Sequence, residues 1–254
     1  MADPLFDIEG RGILVAGGAG GLGAPMAKAF AQRGAKVLIA DIDERLAFET
    51  ANGLRDIGGD VRATVLDVTS SASCSAAVDL AVANWGRLDG LVNAAGIYRV
   101  DRALELDDES WDRTIEINLT GAFRLARAAG RTMVAQREGR IVTLASVSSV
   151  VANPRYAAYA SSKAGVVHLT RVLAVEWASY GVTVNAIGPA AIPTPLARPI
   201  FDDERHREAA LARIPMGRFG TPDDLIGAAI FLLSPAAAFV TGQVLFIDGG
   251  RTIS

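Results

Sequence analysis

Short apolar runs rich in β-branched residues alternate with longer segments of helical period along the chain. The runs are GILVAGG (12–18), KVLIADI (36–42), VRATVLDV (61–68), GLVNAAG (90–96), GRIVTLAS (139–146), VTVNAIGP (182–189) and VLFIDGG (244–250). Strands that alternate with helices are typical of a parallel sheet. Because the runs are apolar throughout, we expect helices on both faces of the sheet. The pattern predicts an α/β fold with a doubly wound parallel sheet of seven strands.

The 254 residues contain no linker, repeat or low-complexity tract that would divide them. One domain over 1–254 is therefore the economical interpretation. The stretch 190–215 differs from the rest, since it has three prolines near its start and a dense cluster of charges within it. We interpret this stretch as an excursion from the sheet that forms a lid over the substrate.

The charge balance and the apolar segments exclude several classes of protein. With 25 basic and 28 acidic residues the formal net charge is -3, which argues against binding to nucleic acid or to an anionic membrane. The start of the chain is acidic and lacks an apolar signal core, and the apolar stretch at 225–240 is broken and too short to span a bilayer. The single Cys74 cannot form an internal disulfide, and we interpret it as structural. We expect a cytoplasmic protein, and no metal site is predicted.

A glycine-rich loop follows the first predicted strand. In AGGAGGLG (16–23), Gly17, Gly21 and Gly23 have the spacing GxxxGxG, and a helical segment with Pro25 in its first turn comes next. Glycines permit close backbone approach, and the start of a helix presents N–H groups to a phosphate. A glycine cluster can also merely turn the chain, but its place between a strand and a helix favours a dinucleotide-binding loop.

Asp41 ends the second predicted strand, eighteen residues beyond Gly23. A carboxylate there can accept hydrogen bonds from the 2′-hydroxyl of an adenosine ribose and repels a 2′-phosphate. This position favours NAD over NADP. The alternative is that Asp41 only caps the strand.

The stretch RYAAYASSKAG (155–165) contains two tyrosines and a lysine. On a helix, residues four apart share a face, so Lys163 lies beside Tyr159, whereas Tyr156 is two turns away. A nearby positive charge favours phenolate, so the pair could exchange protons near neutral pH. The plain alternative is an ordinary helix with an exposed tyrosine and a solvated lysine.

Taken together, these pieces resemble the short-chain dehydrogenase/reductase family in its single-domain form, from about residue 10 to 250. The matching pieces are AGGAGGLG (16–23), LDV (66–68), NAAG (93–96), IEINLTG around Asn118, IVTLAS ending at Ser146, YASSK (159–163), VNAIGP (184–189) and IPT (192–194). The resemblance implies a Rossmann-type fold and an NAD-dependent oxidoreductase that interconverts a secondary alcohol and a ketone.

The resemblance assigns four catalytic residues. Tyr159 would exchange the proton of the substrate oxygen, and Ser146 would hydrogen-bond that oxygen. Lys163 would lower the pKa of Tyr159 and hold the nicotinamide ribose, and Asn118 would anchor a water that links Lys163 to solvent. Tyr156 would contact substrate or simply pack.

The resemblance also implies a set of cofactor-binding residues. They are Gly17, Gly21, Leu22, Gly23, Asp41, Ile42, Asp67, Val68, Asn93, Ala94, Tyr159, Lys163, Pro189, Ile192 and Thr194. Asp67 and Val68 would border the adenine, and Asn93 the adenosine ribose. Two positions depart from the family pattern: Ala16 stands where the family usually has threonine, and Ala190 follows Pro189 where glycine is usual.

The substrate is predicted only as a class. The pocket walls are expected at 96–100, 147–155 and 190–215, where several arginines suit a sugar acid, and the C-terminal segment resembles that of polyol and sugar-acid dehydrogenases. The alternatives are a 3-oxoacyl-thioester reductase and a catalytically silent NAD-binding sensor. Members of the family usually form dimers or tetramers through helices here expected around 107–137 and 155–180, and we predict a homotetramer.

Overall fold

The computed structural model describes residues 3–56 and 58–254; the side chains of residues 199 and 200 lie outside the described part. The strands are β1 (Gly12–Ala16), β2 (Lys36–Asp41), β3 (Val61–Val65), β4 (Gly90–Asn93), β5 (Gly139–Leu144), β6 (Val182–Pro189) and β7 (Val244–Ile247). The α-helices are α1 (Gly23–Ala31), α2 (Glu44–Arg55), α3 (Ser71–Trp85), α4 (Asp108–Ile115), α5 (Gly121–Gln136), α6 (Ala157–Trp177), α7 (Arg198–Phe201), α8 (Glu204–Leu211) and α9 (Pro222–Leu233). Among these helices, none is both long and apolar enough to cross a membrane.

The seven strands form one parallel sheet in the order β3-β2-β1-β4-β5-β6-β7. The chain starts in the middle of the sheet, moves to one edge, and then returns to β4 on the other side of β1. In such sheets a ligand binds beyond the carboxyl ends of the strands, at the point where the order reverses. The fold class predicted from the sequence is confirmed, and the reversal lies between β1 and β4.

Helices cover both faces of this sheet, which explains why apolar residues dominate the central strands. On one face the core includes Met26 and Phe30 of α1, with α2 and α9 beside them. On the opposite face it includes Leu125 of α5 and Leu173 of α6, with α3 beside them. Both faces of β1 are fully buried. Each large apolar side chain in these layers contributes roughly 1.5–3 kcal/mol through its removal from water.

The edge strands differ from the sequence expectation. β3 and β7 retain partly exposed side chains, and Val65 is 41% exposed. An edge strand has a neighbour on one side only, so fewer groups cover it. β3 is also shorter than the predicted run 61–68, because Leu66, Asp67 and Val68 leave the sheet in a turn.

The start of α9 follows from its sequence, TPDD. Thr221 is the N-cap, Pro222 is the first helical residue, and Asp224 completes a capping box with Thr221. Arg218 donates two hydrogen bonds to Asp224, of 2.7 and 2.8 Å, and this contact holds the pKa of Asp224 far below its usual range. The segment that follows 190–215 is thereby joined firmly to α9.

Cys74 lies in α3 and is completely buried. Burial raises the pKa of its thiol to about 11. A protonated and inaccessible thiol is unreactive at neutral pH, which agrees with a structural role.

Candidate active site

The glycine loop lies against the end of β4. Gly17 has a φ of +66°, and a Cβ there would come within 2.8 Å of the Ala94 carbonyl carbon. A Cβ on Gly23 would come within 2.1 Å of the Gly17 carbonyl oxygen. Only glycine fits these two positions, so the loop can turn tightly into α1. The same loop reaches the far side of the site, because a Cβ on Gly21 would lie 2.9 Å from Thr194 Cβ.

Asp41 lies at the carboxyl end of β2, beside the glycine loop. Its Oδ2 accepts a hydrogen bond from the Ala19 N–H (3.1 Å), and its Oδ1 accepts one from the Asp43 N–H (3.2 Å). The neighbouring Ile42 is 67% exposed. Asp41 therefore holds the glycine loop in place.

Asp67, Val68 and Asn93 also lie at the carboxyl ends of their strands, Asp67 and Val68 after β3 and Asn93 at the end of β4. The Thr69 hydroxyl and N–H both donate to Asp67 Oδ1, at 2.7 and 2.8 Å, and lower the pKa of this carboxyl. Val68 is buried, and Asn93 Oδ1 accepts a hydrogen bond from the Ala95 N–H (3.1 Å). These residues sit where the sequence places the adenosine half of a cofactor.

Pro189, Ile192 and Thr194 follow β6 on the other side of the glycine loop. Pro189 is the last residue of β6, and Ile192 is 4% exposed. Thr194 caps a 3-10 helix, Pro195–Ala197, by accepting a hydrogen bond from the Ala197 N–H. The structure thus places Leu22, Thr194 and the end of β6 around one cavity.

Ser146 and Tyr159 face this cavity together. Ser146 comes directly after β5 in extended conformation and caps the 3-10 helix Val147–Ser149; its Oγ accepts a hydrogen bond from the Ser148 N–H (3.1 Å). Tyr159 lies in the first turn of α6 and lines the same cavity. Both side chains can offer a hydroxyl group to a substrate oxygen bound there.

Lys163 lies one helical turn after Tyr159, behind it with respect to the cavity. Its Nζ is 5.8 Å from the centre of the Tyr159 ring and donates a hydrogen bond to the Leu144 carbonyl oxygen (2.8 Å). Lys163 is 6% exposed, so the alternative of a solvated lysine is wrong. The spacing of four does bring the two side chains together, as the sequence predicts.

The pKa values of this pair differ from the sequence expectation. Burial raises the pKa of Tyr159 to about 12, and the Ser146 hydroxyl opposes this rise. Burial lowers the pKa of Lys163 to about 8. The expectation that Lys163 lowers the pKa of Tyr159 is thus outweighed in the isolated chain by the removal of both groups from water.

Asn118 lies in a π-helical turn, Glu116–Thr120, between α4 and α5. Its Oδ1 accepts a hydrogen bond from the Ile97 N–H (2.8 Å), and its Nδ2 donates to the Ile97 carbonyl (3.0 Å) and to Ser162 Oγ (3.1 Å). A Cβ on Gly96 would be 3.0 Å from Asn118 Oδ1 and 3.7 Å from Lys163 Nζ. Asn118 and Lys163 therefore approach each other across the backbone of Gly96. π-turns of this kind often occur at functional sites.

The cavity measures about 630 Å³ and opens beside Tyr159. Residues at the carboxyl ends of the central strands line part of the cavity. The stretch 190–215 lines another part with Leu196, His206 and Arg213. Arg155 and Arg251 also line it, and Arg155 has the left-handed φ of +75°. For a residue other than glycine this conformation costs about 1–2 kcal/mol, and such residues cluster at functional sites.

Sequence reasoning missed several residues of the cavity. His206, Arg213 and Arg251 were not singled out, because nothing in their local sequence marks them. Ser162 escaped notice although it lies inside the YASSK motif, and its link to Asn118 becomes visible only when α6 packs beside the π-helical turn. Ala16, where the family usually has threonine, is fully buried.

The residues present fit a dinucleotide. These residues lie along the carboxyl ends of the strands. The Asp41 carboxylate lies on one side, the glycine loop and the start of α1 lie in the middle, and Lys163 lies on the other side, beside the cavity. These groups match an adenosine ribose, a pyrophosphate and a second ribose in that order.

Comparison with known proteins agrees with this arrangement. A family model described as enoyl-(acyl carrier protein) reductase matches residues 17–252. A D-threitol dehydrogenase of Mycolicibacterium smegmatis is 42% identical over 248 residues, which are 98% of this chain and 95% of that protein. An NAD-dependent glycerol dehydrogenase of Listeria innocua is 37% identical over 256 residues, 99% and 97% of the two chains. A 3-oxoacyl-[acyl-carrier-protein] reductase of Thermotoga maritima is 39% identical over 246 residues, 97% and 99%.

A solved structure is similar over the same length. The crystal structure of a gluconate 5-dehydrogenase from Burkholderia cenocepacia, in complex with NADP and tartrate, superimposes with a TM-score of 0.95. It is 38% identical to this chain and matches 99% of it and 98% of the solved chain. With the parallel sheet and the YASSK helix, these likenesses establish that the chain belongs to the short-chain dehydrogenase/reductase family and is an oxidoreductase acting on CH–OH groups.

Proposed function

We propose that the chain is an NAD-dependent dehydrogenase that interconverts a secondary alcohol and a ketone in the 630 Å³ cavity. The observation that carries this proposal is the placement of Ser146 and Tyr159 at the cavity with Lys163 behind Tyr159. A nicotinamide cofactor, when bound, accepts or supplies the hydride. Tyr159 takes the proton of the alcohol, Ser146 holds the reacting oxygen, and Lys163 supplies the positive charge that favours phenolate.

The other site residues take positioning roles in this proposal. Asn118 fixes the 96–98 segment and lies beside Lys163, where it anchors a water on the way to solvent. Gly17, Gly21, Leu22 and Gly23 receive the pyrophosphate, and Pro189, Ile192 and Thr194 border the nicotinamide. Asp41, Ile42, Asp67, Val68, Asn93 and Ala94 surround the adenosine.

The substrate is proposed to be a polyol, a sugar or a sugar acid. Arg155, Arg213 and Arg251 line the cavity, and guanidinium groups suit carboxylates. The relatives named for threitol, glycerol and gluconate support the same class. Screening secondary alcohols, polyols and sugar acids for NADH formation tests the function. If no member of such a panel is oxidised and no ketone partner is reduced, the proposal fails.

The stretch 190–215 is proposed to act as a lid within one domain over 1–254. Its 3-10 helix Pro195–Ala197 and α8 contribute residues to the cavity lining, and a hydrogen bond of 2.8 Å from Arg213 to Asn153 Oδ1 joins it to the loop before α6. This contact is exposed, so its opening costs little.

The cofactor preference rests on the Asp41 carboxylate. We expect kcat/KM with NAD to exceed that with NADP by at least about tenfold, because a 2′-phosphate forced against this charge costs more than about 1.4 kcal/mol. Asp41→Asn keeps the shape and removes the charge, so it should narrow the preference. Asp43→Asn, two residues away, is the matched control and should leave the preference intact. Equal use of the two cofactors by the unaltered enzyme would refute this prediction.

The alternatives remain distinguishable. A 3-oxoacyl-thioester reductase is favoured by the Thermotoga maritima relative, but a reductase that uses NADPH generally wants a basic residue where this chain has Gly20 or Asp41-Ile42. A silent NAD-binding sensor would have no need for the Ser146, Tyr159 and Lys163 arrangement. Reduction of a 3-oxoacyl thioester with NADPH, or cofactor binding without turnover of any alcohol, would favour one or the other.

Assembly into a homotetramer is proposed from apolar side chains left exposed on particular helices. Trp111 of α4 and Phe123 of α5 are 39% and 37% exposed, and Val175 of α6 is 82% exposed. We expect light scattering at micromolar concentration to give the mass of four chains, or of two if only one pair of helices associates. Val175→Glu should lower the order of assembly without unfolding the chain. A monomeric mass would contradict this prediction. Cys74 is free and buried, which is compatible with a reducing compartment, and we propose that the protein is cytoplasmic.

A further inference from the structure

Three tyrosines meet at the mouth of the cavity, although only one of them has a catalytic assignment. The hydroxyl groups of Tyr98 and Tyr156 are hydrogen-bonded to each other, and their ring centres are 5.6 Å apart. The ring of Tyr159 lies edge-on to both, at 5.0 Å from Tyr98 and 6.2 Å from Tyr156. All three line the cavity that Ser146 also faces. A group bound at the Tyr98–Tyr156 pair is therefore close to the reacting centre.

The backbone holds this pair in place from two sides. Ile97, next to Tyr98, has both its N–H and its carbonyl bonded to the Asn118 side chain. On the other side, Tyr156 pairs with Asp101 in an isolated parallel bridge, and the Asp101 N–H donates to the Arg155 carbonyl (2.9 Å). The left-handed conformation of Arg155 turns the chain into α6 at this point. Such preorganisation lowers the entropy cost of binding a ligand.

The pair has hydrogen-bonding capacity left over. Each phenol has one O–H and two lone pairs, and the shared bond uses one O–H and one lone pair. Whichever tyrosine donates, one O–H and several lone pairs remain. Burial and the Tyr156 hydroxyl raise the pKa of Tyr98 above its usual range, so Tyr98 stays neutral. One free donor beside free acceptors is complementary to an alcohol hydroxyl, which both donates and accepts.

We propose that the Tyr98–Tyr156 pair binds a second substrate hydroxyl, next to the one that reacts between Ser146 and Tyr159. The enzyme then selects alcohols that carry a neighbouring hydroxyl, such as polyols and the hydroxyl-bearing end of sugar acids, over simple secondary alcohols. This inference rests on the proposed dehydrogenase function. It assigns the discrimination to two phenols that satisfy each other only in part: with a simple alcohol one phenol O–H lacks a hydrogen-bond partner from the substrate, whereas a second substrate hydroxyl supplies one.

The test compares 2,3-butanediol with 2-butanol, which has the same carbon chain and lacks the second hydroxyl. We expect kcat/KM for the preferred stereoisomer of the diol to exceed that for 2-butanol by about tenfold, the upper end of what one neutral hydrogen bond contributes. In Tyr98→Phe and in Tyr156→Phe the rings stay and one hydroxyl is lost, so the ratio of the two kcat/KM values should fall about tenfold. Because the hydroxyls act as a unit, the double variant should lose little more than either single variant.

Tyr180→Phe is the matched control, since Tyr180 is 41% exposed and lies at the far end of α6. It should leave the ratio unchanged. If the unaltered enzyme oxidises both alcohols equally well, or if both values fall equally in the two variants, the pair is only structural and this inference is overturned while the dehydrogenase function stands. If neither these alcohols nor any polyol or sugar acid is oxidised, the proposed function itself fails.

Discussion

Replacing Tyr159 by phenylalanine is expected to lower kcat for alcohol oxidation at least about 100-fold, the lower end of what general acid–base catalysis contributes. The substitution removes the phenol oxygen and leaves the ring, which packs at 5.0 Å against Tyr98. Steady-state NADH formation measures the loss. Fluorescence titration with NADH should give nearly the same Kd as the unaltered enzyme, because the glycine loop and Asp41 are untouched.

Tyr156→Phe is the informative comparison for that experiment. Tyr156 has the same hydroxyl in the same cavity, but its partner is Tyr98 and no lysine lies one turn behind it. Its effect should stay near the tenfold expected for one substrate hydrogen bond and should depend on the substrate. If Tyr156→Phe proved inactive and Tyr159→Phe stayed active, the assigned face of α6 would be wrong, together with the role of Ser146.

Replacing Lys163 by methionine is expected to displace the pH profile of alcohol oxidation. The reaction needs a base, so kcat/KM should rise with pH as Tyr159 becomes phenolate, and the Lys163 ammonium favours that form. The limb should therefore lie below the pKa of free tyrosine. Lys163→Met removes the ammonium and leaves the phenol in a site whose burial raises its pKa, so the limb should move to higher pH and activity at pH 8 should fall. An unchanged limb would show that Lys163 does not govern the proton transfer.

The same variant is expected to be at least as stable as the unaltered protein. Burial lowers the pKa of Lys163 from 10.5 to about 8, so the unfolded chain binds the proton more tightly than the folded chain. This difference costs the folded state about 3 kcal/mol below pH 8, and the cost disappears as the pH rises from 8 to 10.5. Loss of the bond to the Leu144 carbonyl takes back about 1–3 kcal/mol. Lys163→Met should therefore raise the melting temperature by a few degrees at pH 7, with the gain shrinking toward pH 10.

Lys28→Met provides the control for both measurements. Lys28 is exposed on α1, so its replacement should change neither the pH limb nor the pH dependence of unfolding. A Lys163→Met variant that unfolds several degrees below the unaltered protein at pH 7 would contradict the burial cost assigned to this lysine.

Much of the fold follows from the sequence because the signals are local. The central strands are buried on both faces, so apolar residues dominate their sequences, and the fold class predicted from them is confirmed. The start of α9 can also be predicted from the sequence, because Thr221, Pro222 and Asp224 cap the helix through contacts between sequence neighbours. The exposure of the edge strands was harder to predict from the sequence, because the exposure of Val65 depends on where β3 lies in the sheet.

The same distinction between local and long-range signals applies to the candidate site. Tyr159 and Lys163 are one helical turn apart, so their spacing in the sequence predicts their proximity. The contact of Tyr98 with Tyr156 joins residues 58 positions apart, and the wall that His206 and Arg213 form depends on how 190–215 folds back. The pKa of Tyr159 depends on how much water reaches it, which no spacing records. The catalytic and cofactor-binding roles themselves stay predictions until the variants are measured.

The strand order has a consequence for the newly synthesised chain. β1 is made first, yet one of its two neighbours, β4, is made only after β2, α2, β3 and α3. Until the ribosome releases residues 90–93, the segment GILVA presents an unpaired row of backbone N–H and carbonyl groups, with fully apolar side chains on both faces. An edge of this kind pairs readily with another chain. During the interval between the synthesis of β3 and of β4, this apolar edge of β1 is therefore open to pairing with another chain.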